Sequence, residues 1–134
     1  MLFAIQTDSP VPIYEQIVAQ VTYAVASGAL EAGAMIPSVR ELAGSLVVNP
    51  NTVARAYQEL EQRGVVTAKR GRGMEVTPDA PATCRTERQA MIRGRIRQAL
   101  REAAGSALSP DDIRQLVEEE LTRVNGQRRT REKR

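Results

Sequence analysis

The chain has no histidine and no tryptophan, a single cysteine, and only four aromatic residues: Phe3, Tyr14, Tyr23 and Tyr57. Each shortage closes a class of function. Without imidazole there is no histidine-based general acid–base pair, no histidine-dependent triad and no imidazole metal site. Cys84 alone forms neither an internal disulfide nor a thiolate cluster; it reads as a tolerated small residue in a reducing compartment, with a redox switch as the alternative. No apolar run approaches the ~18 residues that a membrane span requires. The N-terminus lacks the basic start and apolar stretch of a secretion signal, so the expected location is the cytoplasm. With so few aromatics any core is aliphatic and small. A length of 134 residues suits one domain with an appendage, and a protomer with little to bury gains stability by sharing a core with a second copy.

Charge is informative only in its placement. The net value is +3. Residues 1–77 hold six Lys+Arg against seven Asp+Glu, whereas residues 78–134 hold thirteen against nine. A case for nucleic-acid binding in the first half therefore rests on where individual cations sit and not on bulk charge.

The first residues, Met1 to Ile5, read as a short strand or a tucked arm. From Pro12, a suitable first helical position, Ile13, Ile17, Val21 and Val25 recur every four residues, which predicts an amphipathic helix of about four turns closed by Gly28. After a connector over 28–33, Ile36-Pro37 blocks helix continuation and Ser38 opens a second, short helix, with Glu41 at capping-box spacing. Asn49 caps a third helix with Pro50 at its first position; Gly64 ends it. Two β-compatible runs, Val65 to Ala68 and Met74 to Thr77, flank Lys69-Arg70-Gly71-Arg72-Gly73 and read as a basic hairpin. The stretch Pro78 to Thr83 has linker composition. Two further helical patterns follow: one through Ile92, Ile96 and Leu100, and one opened by Ser109-Pro110-Asp111-Asp112 and continued by Ile113, Leu116, Val117 and Leu121 up to Asn125-Gly126.

That order predicts a mainly α protein with a small β-hairpin wing. It comprises a winged helix-turn-helix DNA-binding domain over 1–77, a linker over 78–83, a helical hairpin for dimerisation over 84–126 and a disordered basic tail over 127–134. A major groove admits one helix, and residues near that helix's N-terminus reach the base edges. Here those are Asn49, Asn51, Thr52 and Arg55. Asparagine pairs bidentately with adenine and arginine with guanine, each pair discriminating by roughly 1–3 kcal/mol. Thr52 bonds a phosphate or touches a thymine methyl. Arg40 lies early on the preceding helix, which crosses the backbone in such modules, and Ser38 with the N–H groups after it favours a phosphate. Lys69, Arg70 and Arg72, interleaved with Gly71, suit a wing that enters a minor groove or rests on adjacent phosphates. Taken singly, a capping box is a helix start and a basic turn is a solvated tip; it is their order and spacing that point to DNA.

These residues resemble the winged-helix domain of the GntR family of bacterial transcription regulators, over about Pro12 to Val76. The resemblance lies in Pro12-Ile-Tyr-Glu-Gln-Ile17, in Ile36-Pro37-Ser38-Val39-Arg40-Glu41-Leu42-Ala43, and in Asn49-Pro50-Asn51-Thr52-Val53-Ala54-Arg55-Ala56-Tyr57 with Leu60 and Gly64. The wording of the third segment and the short C-terminal part look most like the YtrA-type subfamily. The resemblance implies DNA contacts from Arg40, from the start of the third helix and from the wing at Gly71. Larger relatives often carry arginines where this chain has Pro50 and Ala54, so Asn51 and Arg55 are the expected substitutes. It also implies dimerisation through the C-terminal helices.

The residues of that extension agree. Two helices with few aliphatic positions cannot enclose a core alone. Ile92, Ile96, Leu100, Ile113, Leu116, Val117 and Leu121 must meet the first domain, a second copy or another protein. The expected function is a homodimeric, sequence-specific regulator, a repressor on a palindromic operator, with a protein-assembly or non-specific nucleoid-binding module as the alternative. No nucleophile–base pair or metal set supports an enzyme, no cofactor is expected, and the chain left for walling a ligand pocket is short. The tail carries net +4 and reads as solvated or as a salt-sensitive phosphate contact.

Overall fold

The computed structural model describes residues 3–69 and 73–132. In chain order the elements are α1 (Ile13–Ser27), β1 (Met35–Ile36), α2 (Val39–Leu46), α3 (Pro50–Gln62), β2 (Val66–Lys69), β3 (Gly73–Val76), α4 (Ala80–Gly105) and α5 (Pro110–Glu132). They divide into two units, Met1–Ala90 and Met91–Arg134.

The first unit is a winged helix. The repeat in α1 works as its spacing demands: Ile17, Val21 and Val25 are buried against Val53, Tyr57 and Leu60 of α3 and Leu42 of α2. Gly28 ends α1 in the left-handed conformation, φ 86°, where an L side chain is strained. Strands β1, β3 and β2 form an antiparallel sheet in that order, with Met35 opposite Glu75 and Thr67 opposite Glu75 from the other side. The hairpin is legible in the sequence, whereas β1 is not. A two-residue strand is too short to show alternation, and Met35–Ile36 is held by pairing across from β3 and by Val76 N–H donating to Ala34 O at 2.8 Å. Val65, Val66 and Val76 close the core from beneath the sheet.

The amino-terminal segment is a tucked arm. Phe3 is buried and Ile5 packs beside it. Two glutamine side chains of α1 tie the arm down: Ala4 N–H donates to Gln20 Oε1 at 2.8 Å, and Gln20 Nε2 returns a bond to Ala4 O at 2.9 Å. Gln16 repeats the pattern with Gln6, N–H to Oε1 at 2.9 Å and Nε2 to O at 2.9 Å.

Two boundaries differ from the sequence reading. Helix α4 begins at Ala80, inside the stretch read as a linker. Pro81 sits in its first turn, where a missing N–H costs nothing, and Ala80 and Cys84, four residues apart, are both fully buried in the core. Helix α5 runs through Asn125-Gly126 to Glu132, although a disordered tail was expected from residue 127. Glycine inside a helix costs about 1 kcal/mol relative to alanine, and the Gln, Arg and Glu that follow are good helix formers that carry the ladder onward.

In the second unit, α4 and α5 are joined through residues 106–109, where Ala107 adopts φ 63°. The start of α5 is a complete capping box: Asp112 N–H donates to Ser109 Oγ at 3.1 Å and Ser109 N–H to Asp112 Oδ2 at 3.2 Å. Among the described residues of this unit no side chain is buried. None of the helices, among the described residues, is long and apolar enough to cross a membrane.

Candidate nucleic-acid interface

Two helix starts and a hairpin converge in the first unit. Ser38 caps α2: its Oγ accepts from Glu41 N–H at 3.2 Å and its hydroxyl donates to Glu41 Oε1 at 3.1 Å. The carboxylate therefore takes the hydroxyl instead of the cap residue's N–H, and a negative charge stands beside Ser38. Any phosphate at this helix start would have to move Glu41 aside. Arg40 is exposed on the first turn of α2.

Asn49 caps α3, its Oδ1 accepting from Asn51 N–H at 2.8 Å. That leaves its amide nitrogen but engages its oxygen, so Asn49 is a poorer bidentate reader of adenine than Asn51, which is exposed in the first turn of the helix. Thr52 is half-buried on the flank. Asn51, Arg55, Gln58 and Gln62 follow one another at helical spacing and form the exposed polar stripe of α3, opposite Val53, Ala56, Tyr57 and Leu60.

Arg55 is not free to swing. Its guanidinium carbon lies 3.9 Å from the centre of the Tyr14 ring on α1. Such stacking holds the planar fork by one face and leaves its N–H edges available. Arg55 is thus directed toward the α1 side of the stripe, where Tyr14, Gln58, Glu59 and Gln62 surround it. Nothing in the sequence pattern pointed to Tyr14, whose spacing placed it beside an apolar row.

Tyr57 fixes the two helices relative to each other. Its hydroxyl donates to Pro37 O at 2.7 Å, joining the middle of α3 to the residue before the α2 cap. Burial pushes its phenol well above the ordinary range, so it remains a donor at any physiological pH.

The wing is pinned at its base. Gly73 has φ 92°, and a Cβ placed there would lie 2.8 Å from Ile36 O and 3.2 Å from Ser38 N. The glycine is required for close approach to the chain's own backbone. Lys69 is exposed but paired with Glu75 across the hairpin at 3.5 Å. An exposed pair of this kind is worth little and is readily exchanged for a phosphate. Arg70, Gly71 and Arg72 lie outside the described residues. Among the described residues no cluster of metal-ligating side chains occurs.

The profile of the gntR family of bacterial regulatory proteins matches residues 13–76. The chain is 34% identical over 125 residues to the HTH-type transcriptional repressor YtrA of Bacillus subtilis, an alignment covering 93% of this chain and 96% of that one. The chain belongs to the GntR family. A crystal structure of a transcriptional regulator from Oenococcus oeni is 32% identical and superposes with a TM-score of 0.77 over 88% of this chain and 98% of its own. YtrA from Sulfolobus acidocaldarius, a GntR-family transcription factor, is 34% identical, with a TM-score of 0.58 over 75% of this chain and 98% of its own. These matches extend past the winged helix into α4 and α5, which places the chain with YtrA-type members of the family. It is a DNA-binding transcription regulator.

Proposed function

We propose that this regulator is a homodimeric repressor that occupies a two-fold symmetric operator. The observation that carries the reading is the start of α3, where Pro50 and Asn51 are exposed, on a helix that the Tyr57–Pro37 bond ties to the chain just before α2, which carries the exposed Arg40. Asn51 and Arg40 read bases; Thr52 and Lys69 hold phosphates, together with Arg70 and Arg72. Arg55, stacked on Tyr14, serves the flank of the site. Ser38 and Asn49 act first as caps. Dimerisation is supported by Ile92, Ile96, Leu100, Leu116, Val117 and Leu121, large apolar side chains that are all exposed, with Ile113 half-buried. Two reading heads related by a two-fold axis match a palindrome. The family relationship and the absence of a nucleophile–base set support a role without catalysis.

Selection of duplexes from random oligonucleotides, followed by gel shift, tests this. The expected outcome is a symmetric consensus bound far more tightly than random duplex at moderate salt; equal affinity for both would overturn it. Asn51→Ala should cost roughly 1–3 kcal/mol, about fivefold to 150-fold, and relax one position of the consensus. Binding that ignores Asn51→Ala and Arg40→Ala but disappears with residues 127–134 would favour a non-specific nucleoid role.

A further inference from the structure

The geometry points to a crossed pairing in the dimer, with α4 of one copy lying against α5 of the second copy and the two matched by opposite charge. This rests on the homodimer reading above. In the second unit both helices leave an apolar row open: Ile96 is 54% exposed on α4, and Leu121 and Val124 are 50% and 56% exposed on α5. The rows differ in their company. Beside Ile92, Ile96 and Leu100, one residue further along, run Arg93, Arg97 and Arg101, which line one groove with Ile96, Leu100 and Ala104. Within the unit, α4 carries Arg95 as well and only Glu102 on the other side of the balance. Along its length α5 carries six acids, Asp111, Asp112, Glu118, Glu119, Glu120 and Glu132, against five arginines, Arg114, Arg123, Arg128, Arg129 and Arg131, and the acids predominate only before Gly126, where the apolar row lies.

Like-with-like packing would set the arginine row of α4 against its own copy, and the glutamates of α5 against theirs. Crossed packing answers both at once. Glu120 sharpens the choice, because it falls within the apolar row of α5, three residues after Val117 and four before Val124. A polar residue in such a seam selects register and partner. Its partner on its own helix is Arg123 at 3.7 Å, both side chains being largely exposed, and a pair of that kind yields easily to a better one. Among the described residues no ion pair engages Arg93, Arg97, Arg101 or Glu118, so these charges stand ready for a second chain.

Sedimentation of the full chain at low salt tests the pairing with two charge-reversed variants. One carries Arg93→Glu, Arg97→Glu and Arg101→Glu; the other carries Glu118→Arg, Glu119→Arg and Glu120→Arg. Each alone is expected to lose the dimer and sediment at half the wild-type mass, because in each the crossed faces become like-charged. Mixed in equal amounts, the two are expected to restore a dimer containing one copy of each. If circular dichroism shows that either set lowers helicity, the single reversals Arg97→Glu and Glu120→Arg decide instead: dimers weakened in each alone and strengthened on mixing support the pairing, and dimers as tight as the wild type overturn it. A variant that stays dimeric by itself, or a folded mixture that stays monomeric, overturns the crossed pairing while leaving the homodimer intact. A monomeric wild type instead overturns the homodimer reading on which it stands.

Discussion

Val47 stands in the turn between α2 and α3 with φ 55°, a left-handed conformation that a β-branched side chain resists, and it is 89% exposed, so no packing compensates. Left-handed backbone costs such a residue roughly 1–2 kcal/mol, and glycine gives back about half of that through unfolded-chain entropy. Val47→Gly should therefore raise the melting temperature by a few degrees without changing operator affinity. Gly73→Ala should do the reverse, costing at least ~1–3 kcal/mol through strain and through contact with Ile36 O and Ser38 N. Cys84 offers a test in pH. Burial pushes its thiol up to about 11 from an ordinary 9.0, with Glu87 adding to the rise and Arg63 opposing it. The unfolded chain releases the proton near pH 9 while the folded chain keeps it, so stability present below pH 9 is lost as pH climbs toward 11. Melts at pH 8 and pH 10.5 should differ less for Cys84→Ala than for the wild type.

At the scale of elements, much of the fold was legible because its local signals are chemical. The Ser38 and Asn49 caps, Pro50 at the head of α3 and the four-residue repeat of α1 are each visible in the chain and each appear in the structure. What the sequence hid depends on partners far along the chain. Strand β1 exists because β3 lies beside it, and the start of α4 is helical because Ala80 and Cys84 find a core built by earlier elements. The candidate interface divides in the same way. Asn51 and Arg40 are exposed as their helix positions foretold, but the Tyr14–Arg55 stack, the Tyr57–Pro37 bond and the Lys69–Glu75 pair join separate elements and leave no periodic trace. The arm shows what such long-range bonds permit. Gln16 and Gln20 address the arm through its backbone, at residues 4, 6 and 11. In a saturation library scored for folding, Ala4 and Gln6 should accept most residues and reject proline, which has no N–H to give.

Across the whole molecule, the lack of histidine leaves no side chain that ordinarily titrates between pH 6 and 8. Operator affinity measured by fluorescence anisotropy should accordingly be nearly flat over that interval, and a steep change would reveal a titrating group elsewhere in the complex. Salt should matter far more, since each phosphate contact releases counterions. The two units also differ in what shields them. Every buried side chain among the described residues lies at or before Cys84, while Arg93, Arg95, Arg97, Arg101, Arg114 and Arg123 stand open on the later helices. Trypsin cuts after arginine, so digestion of a dilute sample should trim the molecule from its far end and stall at a resistant amino-terminal piece. Raising the protein concentration should slow that trimming, turning a digestion ladder into a gauge of how often one copy shelters another.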